Sequence, residues 1–349
     1  MTDEPGPIFI MGAPRSGTEL IRAILNGHSD IHISSETHYF DDLRPRLPPG
    51  KLSPLDREDA FRYFSALRTY PYGHEDPSTL TDIAVDDEFR MLAENFGESA
   101  DAIFTAYCRS QQAARGKAVW GEKTPRHLFR SRDILAAFPT AKLLVMIRDP
   151  RGVVASYRDW NDRLFKRGQT DAFSWESIGR EAARRRMSYS LTVIALLWRS
   201  AANTALRLNR GLGARRIFVC KFEDLLADPE LIINDITKWI GVRYETCMLN
   251  IGVVNSSYVE YSAQGFDTTI ADRWRVRLTP DEIAYVDWLA GPTATRLGYG
   301  KSDQALRSGF VLQQLGALPV SAVRAIAANR HRIGRIDAFL AARLAGLFK

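Results

Sequence analysis

The chain has 349 residues, 45% of them hydrophobic, enough core for one large α/β domain or two smaller ones. Its net charge of +6 is confined to the C-terminal stretch, where Arg307, Arg324, Arg330, Arg332, Arg335, Arg343 and Lys349 face Asp337 alone; the neutral remainder gives no reason to expect a nucleic-acid partner. Three scattered cysteines (Cys108, Cys220, Cys247) exclude a disulfide framework and a zinc cluster and suit a reducing compartment.

The first element begins within a few residues of Met1, with no signal sequence before it, and no uninterrupted apolar stretch is long enough to span a bilayer. The expectation is a cytoplasmic protein. Ile8-Phe9-Ile10-Met11 has the length and composition of a buried strand, and Leu20, Ile21, Ile24 and Leu25 recur at helical spacing. Between them Gly12-Ala13-Pro14-Arg15-Ser16-Gly17-Thr18 forms a tight turn. A turn that leads from a strand into a helix N-terminus gathers free backbone N–H groups and the positive end of the helix dipole, so it is an anion site. Arg15 adds a forked cation suited to phosphate or sulfate. Gly12 and Gly17 have the spacing of a Walker A loop, but Thr18 stands at the lysine position and Glu19 at the Mg²⁺-ligand hydroxyl. A nucleotide kinase or NTPase, the alternative reading, thus loses its two chemical residues.

Ile31-His32-Ile33 leads to Ser34-Ser35-Glu36-Thr37-His38, and a parallel arrangement returns Glu36 to the mouth of the loop. His28, His32 and His38 have no metal spacing and read as structural. Residues 41–118 read as a helical cover with a Pro-rich loop, helices falling at 86–96 and 100–114. A short strand from Ala118 ends in Gly121-Glu122-Lys123-Thr124-Pro125, which aims Lys123 at the crevice where open parallel sheets bind ligands.

Leu143 to Ile147 is the most hydrophobic strand, and Arg148-Asp149-Pro150-Arg151-Gly152 repeats the design of strand, cationic turn and helix start. Ser156, in the first turns of that helix, is placed to donate to the same anion as Arg148. Two such loops in one sheet imply a ligand with two separated anionic groups. Residues 158–190, basic and interleaved with Trp160, Phe165 and Trp175, complete the cover on the acceptor side. A long buried helix at 188–207, a strand at 217–220, a helix from Asp228 and another capped by Thr279 before Pro280 follow.

The segments GAPRSGT (Gly12 to Thr18), GEKTP (Gly121 to Pro125), IRDPRGVVASY (Ile147 to Tyr157), FEDLLADPE (Phe222 to Glu230) and LGY (Leu297 to Tyr299) resemble those of sulfotransferases that use 3′-phosphoadenosine-5′-phosphosulfate (PAPS). With Ser35-Glu36-Thr37 after the first motif, the pattern is most similar to tyrosylprotein sulfotransferases and their bacterial relatives. The resemblance spans roughly residues 7–300 and implies a P-loop-like central parallel sheet flanked by helices. It implies that Arg15, Ser16, Gly17 and Thr18 hold the 5′-phosphosulfate and that Arg148 and Ser156 hold the 3′-phosphate. Glu36 would be the general base and Lys123 the group that stabilises the transferring sulfuryl, with Arg15 assisting; no metal is called for. The acceptor would carry a hydroxyl, on tyrosine, a glycan, a lipid-linked sugar or a small phenol. Two departures stand out: Glu19 replaces a hydroxyl residue, and Ser35 an acidic one. A non-catalytic nucleotide-binding interaction protein is the other alternative, disfavoured by intact Arg15, Glu36, Lys123 and Arg148.

The expected organisation is a sulfotransferase domain over 1–300 and a basic helical tail over 301–349. In the tail Ile326, Ile333, Ile336, Leu340, Leu344 and Leu347 share one helical face, while Arg324, Arg332, Arg335 and Arg343 share the other, around Gly334. That face is expected either to pack on the body or on a second copy in a homodimer, or to lie on an anionic membrane surface.

Overall fold

A computed structural model describes residues 6–69, 83–163, 184, 186–252, 266–330 and 335–347. The expected Phe165 and Trp175, with most of the 158–190 segment, lie outside the described residues, as do Arg332, Ile333 and Gly334.

Five strands form one parallel sheet: β1 (Ile8–Gly12), β2 (Ile31–Ser34), β3 (Val119–Lys123), β4 (Lys142–Ile147) and β5 (Ile217–Lys221), in the order β2-β3-β1-β4-β5. Helices cover both faces, so the strands read as nearly unbroken apolar runs rather than alternating ones. Ile8 and Ile10 of β1 point to one side, into a core with Ile21, Ile24 and Leu25 of α1 (Thr18–Asn26).

Phe9 and Met11 point to the other side, into a larger core. There lie α2 (Tyr39–Asp42), α3 (Pro54–Thr69), α4 (Asp87–Glu94), α5 (Ala100–Ala113), α6 (Ser131–Ala137), α7 (Pro150–Arg163) and α8 (Leu191–Leu212). Phe9, Phe40 and Phe104 meet at centroid distances of 5.6 to 6.2 Å, which anchors the 41–118 cover to β1. The expected helices at 86–96 and 100–114 are α4 and α5, capped by Asp86 and Ser99.

The chain then returns to the face that α1 covers. Leu225 of α9 (Phe222–Ala227) and Ile233 and Ile236 of α10 (Pro229–Ile240) complete the smaller core there. After two short helices, α11 (Thr269–Asp272) and α12 (Trp274–Arg277), comes α13 (Pro280–Arg296), which starts with a full capping box between Thr279 and Glu282.

In the tail, where a helix interrupted at Gly334 is expected, the described residues form α14 (Ser308–Asn329) and α15 (Ile336–Ala345). On α15 two residues depart from the expected faces: Arg343 is buried at 7% exposure and Leu344 is half exposed, while Arg335 is exposed and Ile336 and Leu340 are half-buried. The reason is a partner that periodicity cannot show, Asp41 of α2, which draws Arg343 inward. Helix α14 is, by length and composition, long and apolar enough to cross a membrane, although Gln313, Gln314, Ser321 and Arg324 interrupt its apolar run.

Candidate active site

The loop after β1 enters α1 through Gly17, whose φ of 88° is left-handed. A Cβ at Gly17 would also stand 2.4 Å from the Phe222 ring, so only glycine fits. No side chain caps α1, which leaves its first N–H groups for an anion. Among the described residues only Arg15 and His38 adopt positive φ without being glycine, at 70° and 53°. Both border this site, where such strain is commonly held.

The two cationic loops, expected to serve separated anions, touch each other. Arg15 Nε donates to Ser156 Oγ at 3.1 Å, and Arg148 Nη1 donates to the Arg15 carbonyl at 3.1 Å. Arg148 Nη2 donates to the Ile270 carbonyl at 3.2 Å, and the guanidinium lies 4.4 Å from the centre of the Phe222 ring. Its Nε is buried without a hydrogen-bond partner, as is Ser16 Oγ. Buried orphan donors of this kind fit an anionic ligand that brings its own acceptors.

Glu36 and Lys123 meet, with Nζ 2.5 Å from Oε1. Lys123 ends β3, one strand from the loop, and also reaches Glu19 Oε2 at 2.9 Å. Glu19, a carboxylate beside an anion site, is therefore held by Lys123 and by Arg22. Burial works to raise the Glu36 carboxyl, but Lys123 and His38 outweigh it and hold the group well below the ordinary carboxylate value. The Glu19 carboxyl is lowered as well, burial again being overcome, here by Lys123 and Arg22.

Several supporting residues escape the sequence reading. Glu122, fully buried in β3, accepts hydrogen bonds from the Thr37 N–H and hydroxyl at 2.9 Å each and from Thr124 Oγ1 at 2.5 Å. His127 Nδ1 lies 3.1 Å from its other oxygen. These contacts pin the Glu36 loop to the end of β3. A glutamate inside a run that reads as a buried strand is the available signal, because a buried carboxylate needs partners. Glu223 does similar work for the second loop, accepting from the Asp149 N–H at 2.9 Å and the Tyr299 hydroxyl at 2.8 Å. Thus the FED and LGY motifs brace the Arg148 turn.

His28 is structural as expected, with Nδ1 accepting from the Asp30 N–H at 2.9 Å and Nε2 at 2.8 Å from the Arg243 carbonyl. Burial, aided by nearby arginines, lowers His32 to about 4. His38 Nε2 lies 3.3 Å from Glu36 Oε2. Among the described residues no cluster of three or more His, Cys, Asp or Glu side chains is placed to hold a metal ion.

A parallel α/β sheet with a phosphate-loop turn and a second cationic loop defines a P-loop-like fold. A sulfotransferase family model matches residues 7–246, and the chain belongs to that family. It is 24% identical over 325 residues to nodulation protein NoeE of Sinorhizobium fredii, covering 88% of this chain and 69% of that one. It is 23% identical to carbohydrate sulfotransferase 1 of Mus musculus, covering 86% and 81%. A protein-tyrosine sulfotransferase of Drosophila melanogaster is 25% identical over 245 residues, 70% of this chain and 39% of its own length.

Proposed function

We propose that this protein transfers a sulfuryl group from PAPS to an acceptor hydroxyl. The observation that carries the reading is the Glu36–Lys123 pair set beside two bridged cationic loops. Arg15, Ser16, Gly17 and Thr18 would hold the 5′-phosphosulfate, and Arg148 and Ser156 the 3′-phosphate. PAPS supplies an activated sulfuryl on a phosphate leaving group. Glu36 takes the proton of the acceptor hydroxyl, while Lys123 and Arg15 meet the negative charge that develops. The relatives' names include carbohydrate and protein-tyrosine sulfotransferases, which supports a hydroxyl acceptor.

Calorimetry with 3′-phosphoadenosine-5′-phosphate (PAP) in a chelator tests the donor site. Binding is expected without metal, and Arg148→Ala should weaken it by roughly 10- to 150-fold, the loss of one charge-assisted contact of about 1.5–3 kcal/mol. Binding only with Mg²⁺, or unchanged affinity in the variant, contradicts the assignment.

The outward face of α14 supports a second reading, of peripheral contact with an anionic membrane. Leu312 and Val323 are 71% and 67% exposed, the helix carries no acidic residue, and Arg307 and Arg330 stand at its ends. Full-length protein should sediment with anionic vesicles at low salt, and the Leu312→Ser, Val320→Ser, Val323→Ser triple variant should not. Equal behaviour of the two forms rules this contact out, and a concentration-dependent dimer lost in the variant assigns the face to a second copy.

A further inference from the structure

Helix α15 lies beyond the residues matched by the family model, yet it reaches the back of the transfer site. Three residues of α8 take up its last carbonyls: Ser200 donates to Arg343, Asn203 to Gly346 at 2.9 Å and Arg207 to Ala345 at 3.1 Å. This sets the buried Arg343 guanidinium over the Phe339 and Phe129 rings, with Nη2 3.8 Å from Asp41 Oδ1. Asp41 also lies 3.4 Å from Arg130 and 3.7 Å from Arg126, and Asp42 accepts from Arg126. Arg130 has Asp133 as a further partner at 3.7 Å.

Arg126 Nε donates to His38 Nδ1 at 3.0 Å. A guanidinium has no acceptor, so Nδ1 carries no proton and the neutral ring carries its proton on Nε2, facing Glu36. Glu36 is faced in turn by Lys123, which Glu19 shares. Arg126 Nε is thus shared between His38 Nδ1 and, at 3.7 Å, Asp41 Oδ2, the same carboxylate that Arg130 and Arg343 face.

We propose that Arg343 of α15 is a positioning residue for the transfer site: by sharing Asp41 it leaves Arg126 on His38, and His38 then presents Nε2–H to Glu36. The inference rests on the reading of Glu36 as the general base, but its test does not. Full-length protein with ¹⁵N-labelled histidine is compared by NMR near neutral pH as wild type, Arg343→Met, Arg126→Met and the double variant Arg343→Met, Asp41→Asn. The wild type should show His38 as the Nε2–H tautomer, and both single variants a mixture of tautomers. The double variant should restore the wild-type signature, because the competing carboxylate has gone. PAP affinity should stay within about twofold throughout, since the relay touches the base rather than the nucleotide. A wild-type tautomer in Arg343→Met, with only its thermal stability lowered, overturns the proposal. If Arg343→Met fails to fold, Arg343→Lys takes its place, and a mixture there that Asp41→Asn does not reverse is equally contrary. Loss of the base assignment would appear separately, as turnover that survives Glu36→Gln.

Discussion

Glu36→Gln is expected to keep PAP affinity and lose turnover by on the order of 10²–10⁴-fold, the usual contribution of a general base. Glutamine keeps the size of the side chain and can still accept from Lys123, but it cannot take a proton. The pH dependence follows from the same contacts. Burial raises the Glu36 carboxyl and Lys123 with His38 lowers it further, so the group stays ionised down to below its ordinary value of 4.5. The wild type should therefore show no acid limb from this carboxyl above about pH 4.5. A near-normal rate in Glu36→Gln would move the base elsewhere, with His38 next to be tested.

Lys123→Met is expected to lower turnover by on the order of 10²–10³-fold, as for the loss of one preorganised donor to developing charge. Nucleotide affinity should change far less, because the contact strengthens as charge moves to the bridging oxygen. The variant should also lose stability, by up to about 3 kcal/mol, since two carboxylates lose a buried cation. The sign of its pH dependence is fixed. Glu19 and Glu36 are depressed in the folded wild type, so their stabilising share is present above the unfolded value of 4.5 and lost as pH falls through the folded values. The stability deficit of Lys123→Met should thus be full at neutral pH and shrink in acid. A deficit that grows in acid, or affinity that falls in step with turnover, would contradict this role.

The strand–loop–helix units were legible because each is local: apolar run, glycine turn and helical spacing lie side by side in the chain. That Glu36 and Lys123 lie at one edge of the sheet was legible because β2 and β3 run parallel and end there, though their direct pairing was not. The Glu122 and Glu223 networks were not, since their partners lie up to 85 residues away and nothing in the spacing names them. Arg343 was misplaced for a related reason. The helical period set it on the polar face, but its burial depends on Asp41, near the opposite end of the chain.

Incubation with ³⁵S-labelled PAPS and a fractionated host extract tests the central claim most directly. Wild-type protein should pass label to a product in at least one fraction, in the presence of chelator, and Glu36→Gln should pass label at least about 100-fold more slowly at the same protein concentration. Label that stays on the nucleotide in every fraction, or equal transfer by the two proteins, would contradict sulfuryl transfer by this site.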